Sequence, residues 1–272
     1  SLIFQGSLVM KRLSAILMVL FVFLTGCSST ETAEGEVRPI GIIGAMDSEV
    51  ATLKAEMKDT KVTEKAGLEF FQGTLNGKEV VVVQSGIGKV NAALCTQILV
   101  DDFNVSTLIN TGVAGGLYSE LAVGDVVISS RAVEHDSDLT AFGYKMGHIS
   151  GMSENGEPTY FETDADLAEL TQSVANEVLE DNKAYIGTIA SGDIFVSDAE
   201  LKASLVEQFD AYAAEMEGAA IAHVASVNEV PVTIIRAISD LANGEADVTY
   251  EEFEEKAAEH SAQIVLNLLK EM

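Results

Sequence analysis

Acidic side chains placed in apolar surroundings are the first feature of this sequence that could do chemistry. "AYAAEMEGAAIAHV" (211–224) puts Glu215 and Glu217 on either side of Met216 in a run otherwise made of small and apolar residues. An unpaired buried carboxylate costs several kcal/mol or takes up a proton, so these acids need either a partner or a task. The plain alternative is a strand end followed by a helix whose first turn favours acids. "RAISD" (236–240) places Arg236 and Asp240 about a strand terminus with Ser239 beside the acid. A carboxyl group at the mouth of an apolar strand can keep its proton near neutrality and act as a general acid; the alternative is an Asp capping the next helix or loop.

Two further segments belong with these. "GAMDSEV" carries Met46 to Glu49 out of an apolar run, and "NTGVAGG" (110–116) crowds three glycines behind a strand. Those glycines either let backbone approach a ligand closely or form a tight connection with positive φ. Other chemistries lack their signatures. "SGIGKV" misses the phosphate-loop spacing and its Ser/Thr, "GIIGAM" misses the dinucleotide fingerprint, and there is no Gly-x-Ser-x-Gly elbow. The four histidines have no metal-ligand spacing, so no metal and no cofactor is expected; His223 reads as a packing residue and Cys95 as a buried helical thiol.

The positioning elements alternate. Strands are expected at "VRPIGIIGAM", "STLINTG", "VGDVVISSRAVEHDSD", "AYIGTIASG" and "VPVTIIRAISD", with a hairpin turning at Asn76-Gly77. Helices are expected at "EVATLKAEM", "KVNAALCTQILVDDF", "DAELKASLVEQF", "GAAIAHVASVN" and "EEFEEKAAEHSAQIVLNLLKEM". Such alternation implies a layered α/β domain, in which ligands collect at the carboxyl ends of the strands. The four unusual segments all sit at strand ends.

The chain has 272 residues and a net charge of −27, from 43 acidic against 16 basic residues. Nucleic acid is therefore an unsuitable partner, since phosphate binding needs clustered Lys and Arg. Residues 1–9 read as an appended or upstream extension. From Met10, "MKRLSAILMVLFVFLTGCSST" combines a basic start, an apolar run and a small-residue ending, the pattern of a secretory signal over 10–26. Its "LTGC" is similar to a bacterial lipobox. That likeness implies cleavage before Cys27, lipidation of its thiol, and an exported chain tethered to a bacterial membrane. Residues 27–37 read as a flexible tether and 38–272 as one folded domain. With two cysteines, one expected to carry lipid, a disulfide framework is excluded.

In order along the chain, "IGIIGAMDSEV", "SGIGKVNAAL", "INTGVAGGL", "VGDVVIS", "HDSDLTAFGY", "SGDIFV", "AEMEGAAIAHV" and "RAISDLA" resemble the bacterial 5′-methylthioadenosine/S-adenosylhomocysteine nucleosidases. The likeness runs from about Arg38 to the C-terminus. It implies a three-layer α/β/α sandwich with a mixed central sheet, nucleoside phosphorylase/hydrolase-like, and a homodimer. It implies hydrolysis of the N-ribosidic bond of 5′-methylthioadenosine and S-adenosylhomocysteine, with 5′-deoxyadenosine a further candidate substrate. Breaking that bond leaves positive charge on the sugar and electrons on the purine, so an acid is needed at the base and anions near the ribose.

By the same likeness Asp240, positioned by Ser239, protonates adenine N7, and Glu217 holds the ribose 2′ and 3′ hydroxyls. Glu49 takes a proton from the attacking water, and Arg236 orients that water or a neighbouring carboxylate. Met46, Ile87, Val113, Ala114, Gly115, Phe195, Val196, Glu215, Met216, Tyr250 and Phe142 fall in the substrate-contacting set. Three positions depart from the family's habit: Val113 for Ser, Tyr250 for Phe and Ser150 for Pro. They bear on substrate preference more than on reaction type. A phosphorylase on the same fold would need a cationic phosphate clamp, for which basic residues near these motifs are scarce. A nucleoside-binding protein would have no use for Glu49, Glu217 and Asp240 together.

Overall fold

The alternating strand positions sort into two faces. In β1 (Ile40–Gly44), Ile42 and Ile43 point to opposite sides, as do Val80 and Val82 against Val81 and Val83 of β4 (Lys78–Gln84). Ile42, Val80 and Val82 pack with Val50 and Leu53 of α1 (Asp47–Glu56) and with Val265 and Leu269 of α6 (Ala246–Glu271). Ile43, Val81 and Val83 pack with Cys95 and Leu99 of α2 (Lys89–Phe103) and with Ala219 and Ala222 of α5 (Gly218–Val227). Both faces of these strands are buried, so they read as unbroken apolar runs. The structure is a computed structural model and describes residues 37–272. The signal segment, Cys27 and residues 27–36 of the tether lie outside the described residues.

The remaining strands are β2 (Lys58–Lys65), β3 (Leu68–Leu75), β5 (Thr107–Gly116), β6 (Val126–Glu134), β7 (Tyr160–Glu162), β8 (Ala184–Ser191), β9 (Ala211–Glu215) and β10 (Val232–Asp240). Two more helices, α3 (Ala165–Val178) and α4 (Ala199–Phe209), complete the α-helices among the described residues. All ten strands join one mixed sheet with helices on both faces, as the α/β expectation required. The strands β4, β1, β5 and β10 run parallel; β10 then pairs antiparallel with β6, and β6, β8 and β9 run parallel. β9 returns to β5 through Gly115–Ala214 and Gly116–Ala213, so five strands close into a ring.

Several local expectations hold. Asn76 and Gly77 take φ of 50° and 83° at the β3–β4 turn, the left-handed pair that a two-residue hairpin needs. Two details differ. The α6 helix begins at Ala246, five residues ahead of the acidic run, and so carries Tyr250. The "NTGVAGG" glycines do not follow the strand but lie within β5, and none has positive φ. The tight-connection alternative therefore falls away. Edge strand β2, "KDTKVTEK", is exposed almost throughout and shows no apolar alternation, so the sequence offers little to read there; its lysines suit a solvent-facing edge.

Candidate active site

The closing of the ring brings four chain segments to one place. Gly115 of β5 pairs with Ala214 of β9 on one side and with Asp240 of β10 on the other. Parallel to β5 runs β1, which hands the chain through Ala45 and Met46 into α1. Glu49, in the first turn of α1, folds back on the residues before it. Its Oε2 accepts from the N–H groups of Ala45 (2.6 Å) and Met46 (3.0 Å), and its Oε1 accepts from Val113 N–H (3.0 Å). The side chain is buried, and burial raises its pKa against the opposing pull of Arg236 and those three N–H groups.

Arg236, 1% exposed, projects from β10 into a knot of acids. Nη2 makes an ion pair with Glu215, donates to Asn110 Oδ1 at 2.6 Å and to Glu217 Oε2 at 3.4 Å; Nη1 lies 3.8 Å from Glu49 Oε1 and donates to Val113 O at 3.2 Å. A buried guanidinium needs such partners to be tolerable; both Nη groups have them here, while Nε is buried without a hydrogen-bond partner among the described residues. Burial pulls its pKa down, but Glu215, Glu217 and Glu49 together hold it above the ordinary value.

The two glutamates of "AEMEG" have separate work. Glu215 ends β9, accepts from the Ser191 hydroxyl, and takes the N–H groups of Glu217 (3.2 Å) and Gly218 (2.7 Å) at the start of α5. The helix-start reading of this stretch is thus correct for Glu215. Glu217 instead turns into the cleft, where Oε1 accepts from Gly88 N–H at 2.9 Å. Its pKa is pushed up to about 7, chiefly by burial, with Glu215 and Glu49 adding and Arg236 and Gly88 opposing.

At the far end, Asp240 Oδ2 accepts from Ser239 Oγ at 2.9 Å and Oδ1 from Ala242 N–H at 2.8 Å. It caps the turn that follows, and burial also raises its pKa, so both readings of "RAISD" apply to one carboxyl. Lys202 of α4 supplies a nearby positive charge; its Nζ donates to Gly116 O (2.9 Å) and Leu241 O (2.7 Å).

Glu49, Glu217, Asp240, Ser239 and Arg236 all line one cleft of about 340 Å³. Met46, Ile87, Val113, Ala114, Gly115, Phe195, Glu215, Met216 and Tyr250 complete most of its wall. Phe195 and Tyr250 meet edge to face at 5.6 Å, and the Tyr250 hydroxyl reaches Met46 Sδ at 3.3 Å. Two expected members sit elsewhere. Val196 is buried in a small adjoining recess beside Asp240 rather than on the cleft wall, because the chain turns inward after Phe195. Phe142 is 77% exposed on a short 3-10 turn (Thr140–Phe142) and does not touch the cleft of its own chain.

The arrangement offers an acid at one end, a carboxylate held on backbone N–H groups at the other, and a second carboxylate between. Sequence reasoning missed Asn110, Ser191, Gly88 and Lys202. A polar amide in an apolar strand was a usable signal for Asn110, whose Nδ2 donates to Ile43 O at 2.9 Å while Oδ1 takes Arg236. For Lys202 there was none. Outside the site, His223 stacks on Phe161 and meets Glu134 at 2.9 Å, and Cys95 is buried with its thiol pushed up to about 12.

Residues 39–270 match the phosphorylase superfamily. A 5′-methylthioadenosine/S-adenosylhomocysteine nucleosidase from Staphylococcus haemolyticus is 46% identical over 232 residues, which is 85% of this chain and 99% of that protein. Among solved structures, the enzyme of that name from Neisseria meningitidis, in complex with methylthio-immucillin-A, superposes with a TM-score of 0.81 at 39% identity. It is matched over 86% of this chain and 100% of that one. The one from Colwellia psychrerythraea, in complex with adenine, gives 0.79 at 45% identity over 86% and 95%.

Proposed function

The chain belongs to the phosphorylase superfamily and, within it, to the 5′-methylthioadenosine/S-adenosylhomocysteine nucleosidases, and we infer that its cleft hydrolyses the N-ribosidic bond of those two nucleosides. The products are adenine and the 5-thioribose sugar. The observation that carries this reading is the convergence of Glu49, Glu217 and Asp240 on one cavity, the two glutamates beside buried Arg236 and Asp240 at the far end.

As the C1′–N9 bond breaks, its electrons pass to the purine, and Asp240 delivers a proton to N7 so that adenine leaves neutral. Positive charge left on the sugar faces Glu217, which accepts the ribose hydroxyls and stabilises the cation. Glu49 takes the proton of the water that attacks C1′ from the opposite face, so the anomeric carbon inverts. Arg236 acts on the carboxylates: its two Nη groups are already engaged by Glu215, Glu217, Glu49 and Asn110. That engagement also argues against phosphate as nucleophile, because no free cation faces Glu49 among the described cleft residues. Tyr250 and Met46, beside Phe195, suit the wall over the 5′ substituent.

The deciding assay follows adenine release from methylthioadenosine, S-adenosylhomocysteine, adenosine and inosine, with and without phosphate. Phosphate-independent release from the two thio-nucleosides is expected. Strict dependence on phosphate would make the protein a phosphorylase, and binding without turnover would make it a nucleoside carrier.

Two wider readings complete the proposal. The "LTGC" sequence supports export and lipid attachment at Cys27; a globomycin-sensitive shift and lipid mass on Cys27 test it, and a mature chain keeping residues 10–26 refutes it. Exposed Val90 (78%), Leu94 (46%) and Val227 (64%) on α2 and α5, with exposed Phe142, support a homodimer. Sedimentation at micromolar concentration tests that.

A further inference from the structure

Lys89 begins α2 directly after Gly88, the residue whose N–H reaches Glu217. Its backbone N–H donates to Asp193 Oδ1 at 2.8 Å. Its ammonium donates to Asp136 Oδ1 at 2.6 Å and to Glu134 Oε2 at 2.9 Å. The N–H of Asp193 in turn donates to Asp136 Oδ2 at 2.9 Å, which closes a ring through Lys89, Asp136 and Asp193. From Glu134 Oε1 a last link runs to His223 on α5, the helix that starts right after Glu217. Lys89 therefore joins three segments distant in the chain: the Gly86–Gly88 turn, the end of β6, and the stretch after β8 that carries Phe195.

Its side chain is 18% exposed and those of Glu134 and Asp136 are 15% and 18%, so these pairs are partly desolvated and less screened than surface ion pairs. Burial alone would lower the Lys89 pKa, but Asp136 and Glu134 hold it above the ordinary value. Lys89 does not line the catalytic cleft. What it holds is a conformation open to glycine and unfavourable for other residues: Gly88 sits at φ +100°, and a Cβ there would stand 3.0 Å from Asp193 Oδ1. Gly88 has to be kept in that conformation for its N–H to meet Glu217.

We propose that Lys89 is a positioning residue for ribose recognition: its ammonium holds Asp136, Asp136 holds the Asp193 backbone, and Asp193 steadies the turn whose Gly88 N–H meets Glu217 Oε1, which aims the Glu217 carboxylate at the sugar hydroxyls. This rests on the reading of Glu217 as the ribose-diol acceptor. Loss of the ammonium leaves the residue-89 N–H on Asp193 but releases Asp136, which loosens Asp193 and with it the Gly88 turn, so that Glu217, still attracted by Arg236, loses its fixed direction. The cost falls on capture of the ribose and not on proton transfer to the purine.

The test compares methylthioadenosine with its 3′-deoxy analogue. The 3′ position is the cleaner probe, because removing the 2′-hydroxyl also changes the intrinsic stability of the sugar cation. Native protein is expected to lose roughly 10–100-fold in kcat/KM without the 3′-hydroxyl, the scale of a charge-assisted hydrogen bond. Lys89→Met is expected to lose about tenfold on methylthioadenosine, mainly through KM, and to show a correspondingly smaller 3′-deoxy penalty. Lys89→Arg should restore most of both, and the alkaline limb of the kcat profile should stay in place. The double variant Lys89→Met/Asp136→Asn keeps the net charge and removes the unpaired acid, so a folded clamp-less protein is available if Lys89→Met alone is unstable. An unchanged 3′-deoxy penalty in either folded variant overturns the proposal while leaving Glu217 as diol acceptor. No 3′-deoxy penalty in the native protein overturns the Glu217 reading itself, and the proposal with it.

Discussion

The Cα of Gly112 lies against the carboxylate of Glu49: a Cβ built there would stand 2.3 Å from Glu49 Oε1 and 2.5 Å from Arg236 Nη1. The glycine is required by this close approach and not by a turn, since its backbone is ordinary strand. Gly112→Ala must push Glu49 or Arg236 out of place, and neither can yield within a filled knot. Displacement of catalytic groups by about 1 Å costs on the order of 10²-fold. We expect kcat/KM for methylthioadenosine to fall at least that far, along with a lower melting temperature; wild-type kinetics would show that the knot relaxes freely.

Asp240→Asn and Glu49→Gln should each lower adenine release by about 10²–10⁴-fold, the range of general acid and base catalysis. A leaving group that needs no proton separates them. On the 4-nitrophenyl glycoside of 5-methylthioribose, Asp240→Asn should recover much of its rate and Glu49→Gln none. Equal recovery in both would exchange or merge their roles.

The raised pKa of Glu217 makes a prediction about stability. With a folded value of about 7 against an ordinary 4.5, the native chain binds more protons than the unfolded one between those pH values. This group's contribution to stability is fully present below about pH 4.5 and is lost as pH rises through 7. Glu217→Gln should therefore become more stable relative to wild type across that window, read as a difference in melting temperature that grows from pH 4.5 to 7 and then levels. A difference flat with pH would place the Glu217 carboxyl at its ordinary value.

Tyr250→Phe removes the hydroxyl that meets Met46 Sδ and keeps the ring against Phe195. If that hydroxyl serves polar 5′ substituents, the ratio of kcat/KM for S-adenosylhomocysteine over methylthioadenosine should drop several-fold, the scale of one neutral hydrogen bond of about 0.5–1.5 kcal/mol. Parallel losses on both substrates would make Tyr250 a packing residue only.

Cys95 is buried mid-helix with its thiol pushed up to about 12 by burial, so it holds almost no thiolate at neutral pH. Native protein should leave it unmodified by iodoacetamide over hours, and denaturation should expose it to complete reaction. Rapid native labelling at Cys95 would mean that α2 opens readily.

The sequence alone carried the α/β alternation, the Asn76-Gly77 hairpin and most helix limits, because each depends on local periodicity and on residues with restricted φ and ψ. It also marked Glu215, Glu217, Arg236 and Asp240, because charge amid apolar residues stands out without any coordinates, whereas the role of Glu49 came only through the family likeness. What it left open was which alternative each acid follows. Glu215 caps α5 and Glu217 does not, although they are two residues apart and identical in type. That choice depends on Arg236, Ser191 and Gly88, which arrive from β10, β8 and the turn before α2. Only the folded sheet, with its ring closed and β4 alongside β1, brings them within hydrogen-bonding distance. A carboxyl's charge and direction are set by whatever donors and cations surround it, and residues far away in the chain become neighbours only once the sheet has folded.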